Sequence, residues 1–142
     1  MLKVLFLCAE NSCRSQMAEG WARRLHGDKF EAYSAGIKPT ALHPLAAQVM
    51  KEAGVDISEQ KSKHVKALSE IAFDYVVTVC DSARESCPLF SGKTTILRHD
   101  FEDPALARGS LEDRLAVFRR VRDQIRGFVA GLPEQISDGR TP

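Results

Sequence analysis

The sequence predicts an α/β fold, a three-layer sandwich in which a four-stranded parallel sheet is flanked by helices. Three observations carry this expectation. Short runs of β-branched and apolar residues alternate with longer stretches of helical periodicity. The first run, Leu2 to Leu7, is nearly all apolar, as in a strand covered on both faces. A tight loop, Cys8 to Ser15, then leads straight from that strand into a helical pattern.

Taken in order, residues 2–7 read as the first strand and residues 15–26 as the first helix, with Met17, Ala18, Trp21, Ala22 and Leu25 on one face and Gly27 closing it. Phe30 to Ser34 reads as a short second strand, with Ala35-Gly36 as a turn. Pro44 to Ala53 reads as a second helix, Pro44 suiting a first-turn position and Gly54 a C-terminal cap. Val55 to Lys66 is polar and loop-like. Asp74 to Val79, rich in β-branched residues, is the third strand, and Thr94 to Leu97 the fourth. Leu111 to Leu132 is the longest helix, its apolar stripe running through Leu111, Leu115, Phe118, Val121, Ile125, Phe128 and Val129. Arg119, Arg120, Arg122 and Arg126 read as its solvated face. The chain divides into one domain, residues 1–136, and a flexible tail, 137–142.

The formal charge is +1, which gives no support for nucleic-acid or membrane partners. No apolar run is long enough to span a bilayer, and Met1 to Cys8 is too short for a signal-peptide core. The expected compartment is the cytoplasm. There, four cysteines point to reactive thiols rather than a static disulfide framework.

The chemistry concentrates in Cys8-Ala9-Glu10-Asn11-Ser12-Cys13-Arg14-Ser15. A loop entering a helix N-terminus aims several unpaired N–H groups at one spot, which suits a tetrahedral oxyanion. Arg14 adds a planar two-pronged donor. The same positive field favours a thiolate at Cys8. Ser15 is placed as the helix N-cap, with a hydroxyl able to donate to that thiolate.

In parallel α/β sheets ligands collect at the C-terminal ends of the strands. Cys80, at the end of the third strand, and the carboxylates Asp100, Glu102 and Asp103, after the fourth, therefore belong to the same edge as Cys8. Cys80 and Cys87 lie seven positions apart in a polar stretch. A disulfide needs Cα atoms within about 7 Å. A helix would hold these two roughly 10.5 Å apart, so a bond between them requires the segment to fold back. From the residues alone the two are either a redox pair or independent thiols. Their spacing and the scattered histidines do not match a zinc site.

The block Cys8 to Gly20, with Asn11-Ser12-Cys13-Arg14-Ser15-Gln16-Met17-Ala18-Glu19, resembles the arsenate reductases built on the low-molecular-weight tyrosine phosphatase fold. Ser34-Ala35-Gly36 and Asp103-Pro104 match the same pattern, and the resemblance runs to about Gly131. It implies that arsenate binds the N–H groups of Ala9, Glu10, Asn11, Ser12, Cys13 and Arg14, that Cys8 is the nucleophile and that Asp103 is the general acid. It also implies a relay of transient disulfides, Cys8–Cys80 and then Cys80–Cys87, with external thioredoxin (or glutaredoxin) as the reductant. Cys13 is then structural. Arsenate reductases of this kind often have Thr-Gly where this chain has Ala9-Glu10, so the charge of Glu10 should point away from the anion. Phosphatases commonly place a Tyr where Ala105 stands, which favours a small inorganic substrate here. Some relatives hold potassium beside the loop. Asn11, Glu19 and Ser34 match three of its ligands, but Lys63 occupies the position of an Asp. The expectation is therefore no bound metal and no potassium, with Asn11, Glu19, Ser34 and Lys63 bracing the loop and Lys63 pairing with Glu19. A monomer suffices. The competing readings are a low-molecular-weight phosphatase, which has no need of Cys80 and Cys87, and a non-catalytic oxyanion-binding or redox-sensing protein.

Overall fold

A computed structural model of the chain describes residues 1–80 and 94–139, with side chains through 136. The strands are β1 (Leu2–Cys8), β2 (Phe30–Gly36), β3 (Tyr75–Thr78) and β4 (Thr95–Arg98). They form one parallel sheet in the order β2-β1-β3-β4. The helices are α1 (Arg14–His26), α2 (Pro44–Glu52), α3 (Leu111–Ala130) and α4 (Leu132–Gly139), with short 3-10 turns at Val65–Leu68 and Pro104–Leu106. Among the described residues no helix is long and apolar enough to cross a membrane.

β1 is central because it can be buried on both faces. Val4 to Leu7 are each 0 % exposed. β4 is the edge strand, and its Ile96 is exposed. The chain leaves β1 toward β2 through α1, then returns past β1 to β3 and moves outward to β4. The connections thus diverge between β1 and β3, and that point is where an open α/β sheet binds its ligands. The register places Leu7 between Ala35 and Thr78, so Cys8 and the residues just after Thr78 emerge side by side.

Several expected boundaries move. β2 continues through Ala35 and Gly36, because Gly36 pairs with Cys8 and bridges to His64. α2 ends at Glu52, and Gly54 takes the left-handed conformation at φ 85° that closes it. α3 begins at a Ser110/Asp113 capping box, and its core stripe is Leu115, Phe118, Val121, Ile125 and Val129. Leu111, expected in that stripe, is exposed. Beyond Gly131 the chain turns into α4, burying Leu132 and Ile136, so helix runs on past residue 136. Residues 140–142 lie outside the described chain.

The arginines of α3 do more than face solvent. Arg119 makes two bonds to Glu52 of α2, each 2.9 Å. Arg122, with 14 % of its side chain exposed, reaches Val49 O at 3.0 Å. Arg120 pairs with Glu102 at 2.6 Å, and Arg126 lies over Trp21 at 5.5 Å. These long stems and forks tie α3 to α2, α1 and the segment after β4.

Candidate active site

The loop between β1 and α1 is shaped by where its carbonyls go. Ala9 O accepts from Ile37 N and Lys38 N, both at 2.8 Å. Glu10 O accepts from Thr40 N at 3.2 Å and Ser62 Oγ at 2.9 Å, and Ser12 O from His43 N at 3.0 Å. A trans peptide sets its N–H opposite its C=O. Drawing these carbonyls outward therefore turns the N–H groups of Glu10, Asn11 and Cys13 inward. Among the described residues, no backbone N–H from Glu10 to Arg14 donates to a protein acceptor. The result is a ring of donors at the N-terminus of α1, a site for an oxyanion.

A buried amide chain holds this shape. Asn11 sits at φ 52°, a left-handed conformation that Asn tolerates better than most residues. Its Nδ2 donates to Ser15 Oγ at 2.8 Å, and its Oδ1 accepts from Lys63 N at 3.0 Å. Gln16 Nε2 donates to Asn11 O and Oδ1 at 3.0 and 3.2 Å, and Gln60 Nε2 donates to Gln16 Oε1 at 2.8 Å. Gly36 supplies the close approach: a Cβ there would lie 2.9 Å from both Ala9 O and Asn11 N. Gly36→Ala is expected to destabilise the fold by about 1–3 kcal/mol in urea unfolding and to weaken oxyanion binding along with it. A change within error would mean the loop backbone yields freely.

Ser15 is not the N-cap. α1 starts one residue earlier than expected, at Arg14, with Cys13 as its cap residue and Cys13 O accepting from Met17 N at 2.9 Å. Ser15 is 0 % exposed, and its hydroxyl is engaged by Asn11. Among the described residues it makes no bond to Cys8.

Arg14 reaches across to the segment after β4. Its Nη1 donates to Phe101 O at 3.1 Å, and its Nη2 lies 3.4 Å from Asp103 Oδ2. Among the described residues its Nε is buried without a partner. Phe101 N in turn donates to Val79 O at 3.1 Å, which anchors the acid loop to the end of β3. Of the three candidate carboxylates, Asp103 faces Arg14 and also caps the 3-10 turn through Ala105 N at 3.0 Å. Glu102 turns away to Arg120.

Cys8 and Cys80 are brought together. Both are buried thiols in no disulfide, set side by side at the ends of β1 and β3, and hydrogen bonding to Cys80 is the strongest influence on the Cys8 proton. That bonding, then burial, pushes the Cys8 thiol well above the usual thiol range, while Arg14 and the Ala9 N–H pull the other way. Arg14 and the loop N–H act in the expected direction, toward a thiolate, and Cys80 and burial outweigh them. Burial pushes Cys13 up to about 12, with Ser12 opposing and Asp103 adding to the shift, so Cys13 is a thiol at neutral pH. Cys87, and with it the Cys80–Cys87 pairing, lies outside the described residues.

The expected brace around Glu19 is present with a different cation. Glu19 Oε1 accepts from Ser34 Oγ at 2.5 Å, and Oε2 pairs with Arg23 at 2.6 Å. The Lys63 side chain donates instead to Lys61 O at 2.8 Å, and Lys63 braces Asn11 through its backbone N–H. Burial holds the Lys63 ammonium below the usual lysine range, with nearby Glu19 working against it. Both Glu19 oxygens and Asn11 Oδ1 have protein partners here. Gln16, Gln60 and Arg23 were not singled out from sequence. The i,i+4 spacing of Glu19 and Arg23, and a glutamine between Ser15 and the buried Met17, were the available signals.

A parallel sheet whose first strand ends in a Cys-x5-Arg loop, faced by an Asp-Pro loop, defines the low-molecular-weight phosphotyrosine protein phosphatase family, and the chain belongs to it. The family pattern matches residues 3–140. Within that family the chain is similar to arsenate reductases. It is 47% identical to the arsenate reductase of Halalkalibacterium halodurans over 122 residues, 86% of this chain and 88% of that protein. A solved arsenate reductase in a phosphate-binding state superposes with a TM-score of 0.75 at 35% identity, covering 96% of this chain and 99% of the other. The thioredoxin-dependent arsenate reductase of Corynebacterium glutamicum superposes with a TM-score of 0.72 at 26% identity, covering 99% of this chain and 64% of that one.

Proposed function

We propose that this chain reduces arsenate to arsenite, and the observation that carries the reading is the second buried thiol, Cys80, which the register of β1 and β3 sets beside Cys8 at the mouth of the oxyanion loop. Ester hydrolysis needs the loop, Arg14 and Asp103, but not a second buried thiol. The similarity to named arsenate reductases supports the same reading.

Arsenate binds the N–H groups of residues 9–14 and the Arg14 guanidinium. Cys8 sulfur attacks arsenic, its proton passing to the bound oxyanion, and Asp103 acts as the general acid that gives the departing oxygen a proton so that it leaves as water. The product is a Cys8 S–As(V) adduct. Cys80 sulfur then attacks Cys8 sulfur, its proton passing to an oxygen of the arsenic group. The S–As bond breaks, its electron pair stays on arsenic, and arsenite leaves from a Cys8–Cys80 disulfide. Cys87 attacks Cys80 and moves the disulfide to Cys80–Cys87, which frees Cys8. An external dithiol restores the enzyme. Thioredoxin is the proposed reductant, after the Corynebacterium relative, with glutaredoxin as the alternative. Ser15 acts by holding Asn11, and Cys13 takes no redox step.

The protein works in the cytoplasm as a monomer with no bound cofactor. Potassium takes no part, because Arg23 supplies the charge beside Glu19. Rates in sodium and potassium buffers of equal ionic strength are expected to agree, and clear stimulation by potassium would contradict this. The reductase reading is tested by arsenate-dependent NADPH oxidation coupled through thioredoxin and its reductase. Sustained turnover is expected. Silence there with brisk cleavage of 4-nitrophenyl phosphate would assign the chain to the phosphatases.

A further inference from the structure

His43 has no part in the steps above, yet it touches three sides of the site. Its backbone N–H holds Ser12 O of the oxyanion loop at 3.0 Å. Its ring Nδ1 accepts from Leu45 N at 3.1 Å and so caps α2. The ring packs on Phe118 of α3, with centroids 4.9 Å apart. Arg114 lies one turn before Phe118, on the same side of α3.

The Leu45 N–H fixes the chemistry of the ring. Nδ1 is an acceptor, so the neutral imidazole carries its proton on Nε2. A second proton would have to sit on Nδ1, against the Leu45 N–H, and the cap would be lost. The charged groups that act on the ring are Arg114 from α3 and Asp103 from the acid loop; α2 offers the ring the Leu45 N–H, and the Ser12 carbonyl of the oxyanion loop takes the His43 backbone N–H. Burial, and then Arg114, lowers its pKa below the ordinary histidine value, with Asp103 opposing.

We propose that His43 is a positioning residue: its neutral ring caps α2 and packs on Phe118 while its backbone N–H holds the oxyanion loop, and protonation of the ring breaks the cap and switches that arrangement off on the acid side. The part of this that concerns arsenate rests on the reductase reading. The geometry itself serves phosphate ester cleavage equally.

The test compares wild type with His43→Asn, because Asn retains a capping acceptor but does not titrate. kcat/KM is measured for arsenate and, in parallel, for 4-nitrophenyl phosphate from about pH 5 to about pH 8.5. Wild type should lose up to about tenfold per pH unit below the His43 pKa, and the variant should lack that limb while matching wild type within about threefold near pH 8. Identical acid limbs in both proteins would overturn the proposal and leave His43 a helix cap. If the variant does not fold, nitrogen-15 NMR of wild type decides. An Nε2–H tautomer titrating together with the activity limb supports the role, and an Nδ1–H tautomer or a separate titration refutes it. Loss of arsenate turnover alone would sink the reductase reading, and the aryl phosphate limb would still judge His43.

Discussion

Cys80→Ser is expected to abolish arsenate reduction, by on the order of 10³-fold or more, while 4-nitrophenyl phosphate cleavage stays within about fivefold of wild type. The two reactions share attack by Cys8 and the loop that binds the oxyanion. They part when a second sulfur must attack the first. Serine fills the same buried place but cannot form the disulfide, so the Cys8–arsenic adduct can only return to arsenate. The variant should also move the pH dependence of ester cleavage. In wild type hydrogen bonding to Cys80, followed by burial, raises the Cys8 thiol. A serine hydroxyl does not ionise in this range and can only donate to a Cys8 thiolate. Any limb set by ionisation of Cys8 should therefore shift to lower pH, while the acid limb assigned to His43 stays in place. Equal loss of both reactions would mean that Cys80 supports the loop rather than the redox step.

Arg14→Lys is expected to lower kcat/KM for both substrates by roughly 10²–10³-fold, even though the charge is kept. Arg14 uses one guanidinium nitrogen on Phe101 O at 3.1 Å and another near Asp103 at 3.4 Å, and holds Nε buried without a partner among the described residues. A lysine has one nitrogen for all three positions. It must abandon either the acid loop or the oxyanion, so the loss should fall on kcat as well as KM. A loss under about fivefold would show that charge alone suffices.

The loop was legible because its pattern is local. Cys8, Arg14 and the following helix lie within a few residues, and the apolar run before them marks β1 as central. Its neighbours were less so. Ser15 reads as a cap, but whether a helix starts at residue 14 or 15 depends on which carbonyl the chain entering from β1 presents, here Cys13 O to Met17 N. Arg23 rather than Lys63 pairs with Glu19, since a helical i,i+4 neighbour arrives already oriented while Lys63 must reach in from another segment. The Gln60–Gln16–Asn11 chain joins residues 44 positions apart, and no periodicity reports such contacts. The thiolate expectation followed from Arg14 and the loop N–H groups. It left out burial and Cys80, a second sulfur distant in sequence, which push the Cys8 thiol the other way.

The central claim is that this chain itself delivers two electrons to arsenic. It is tested most directly by mixing fully reduced protein with excess arsenate, without any external reductant, and counting arsenite and thiols. One arsenite released per chain is expected, with two of the four thiols consumed, a Cys80–Cys87 disulfide in the peptide map, and Cys8 and Cys13 still thiols. No arsenite, with all four thiols intact, would contradict it.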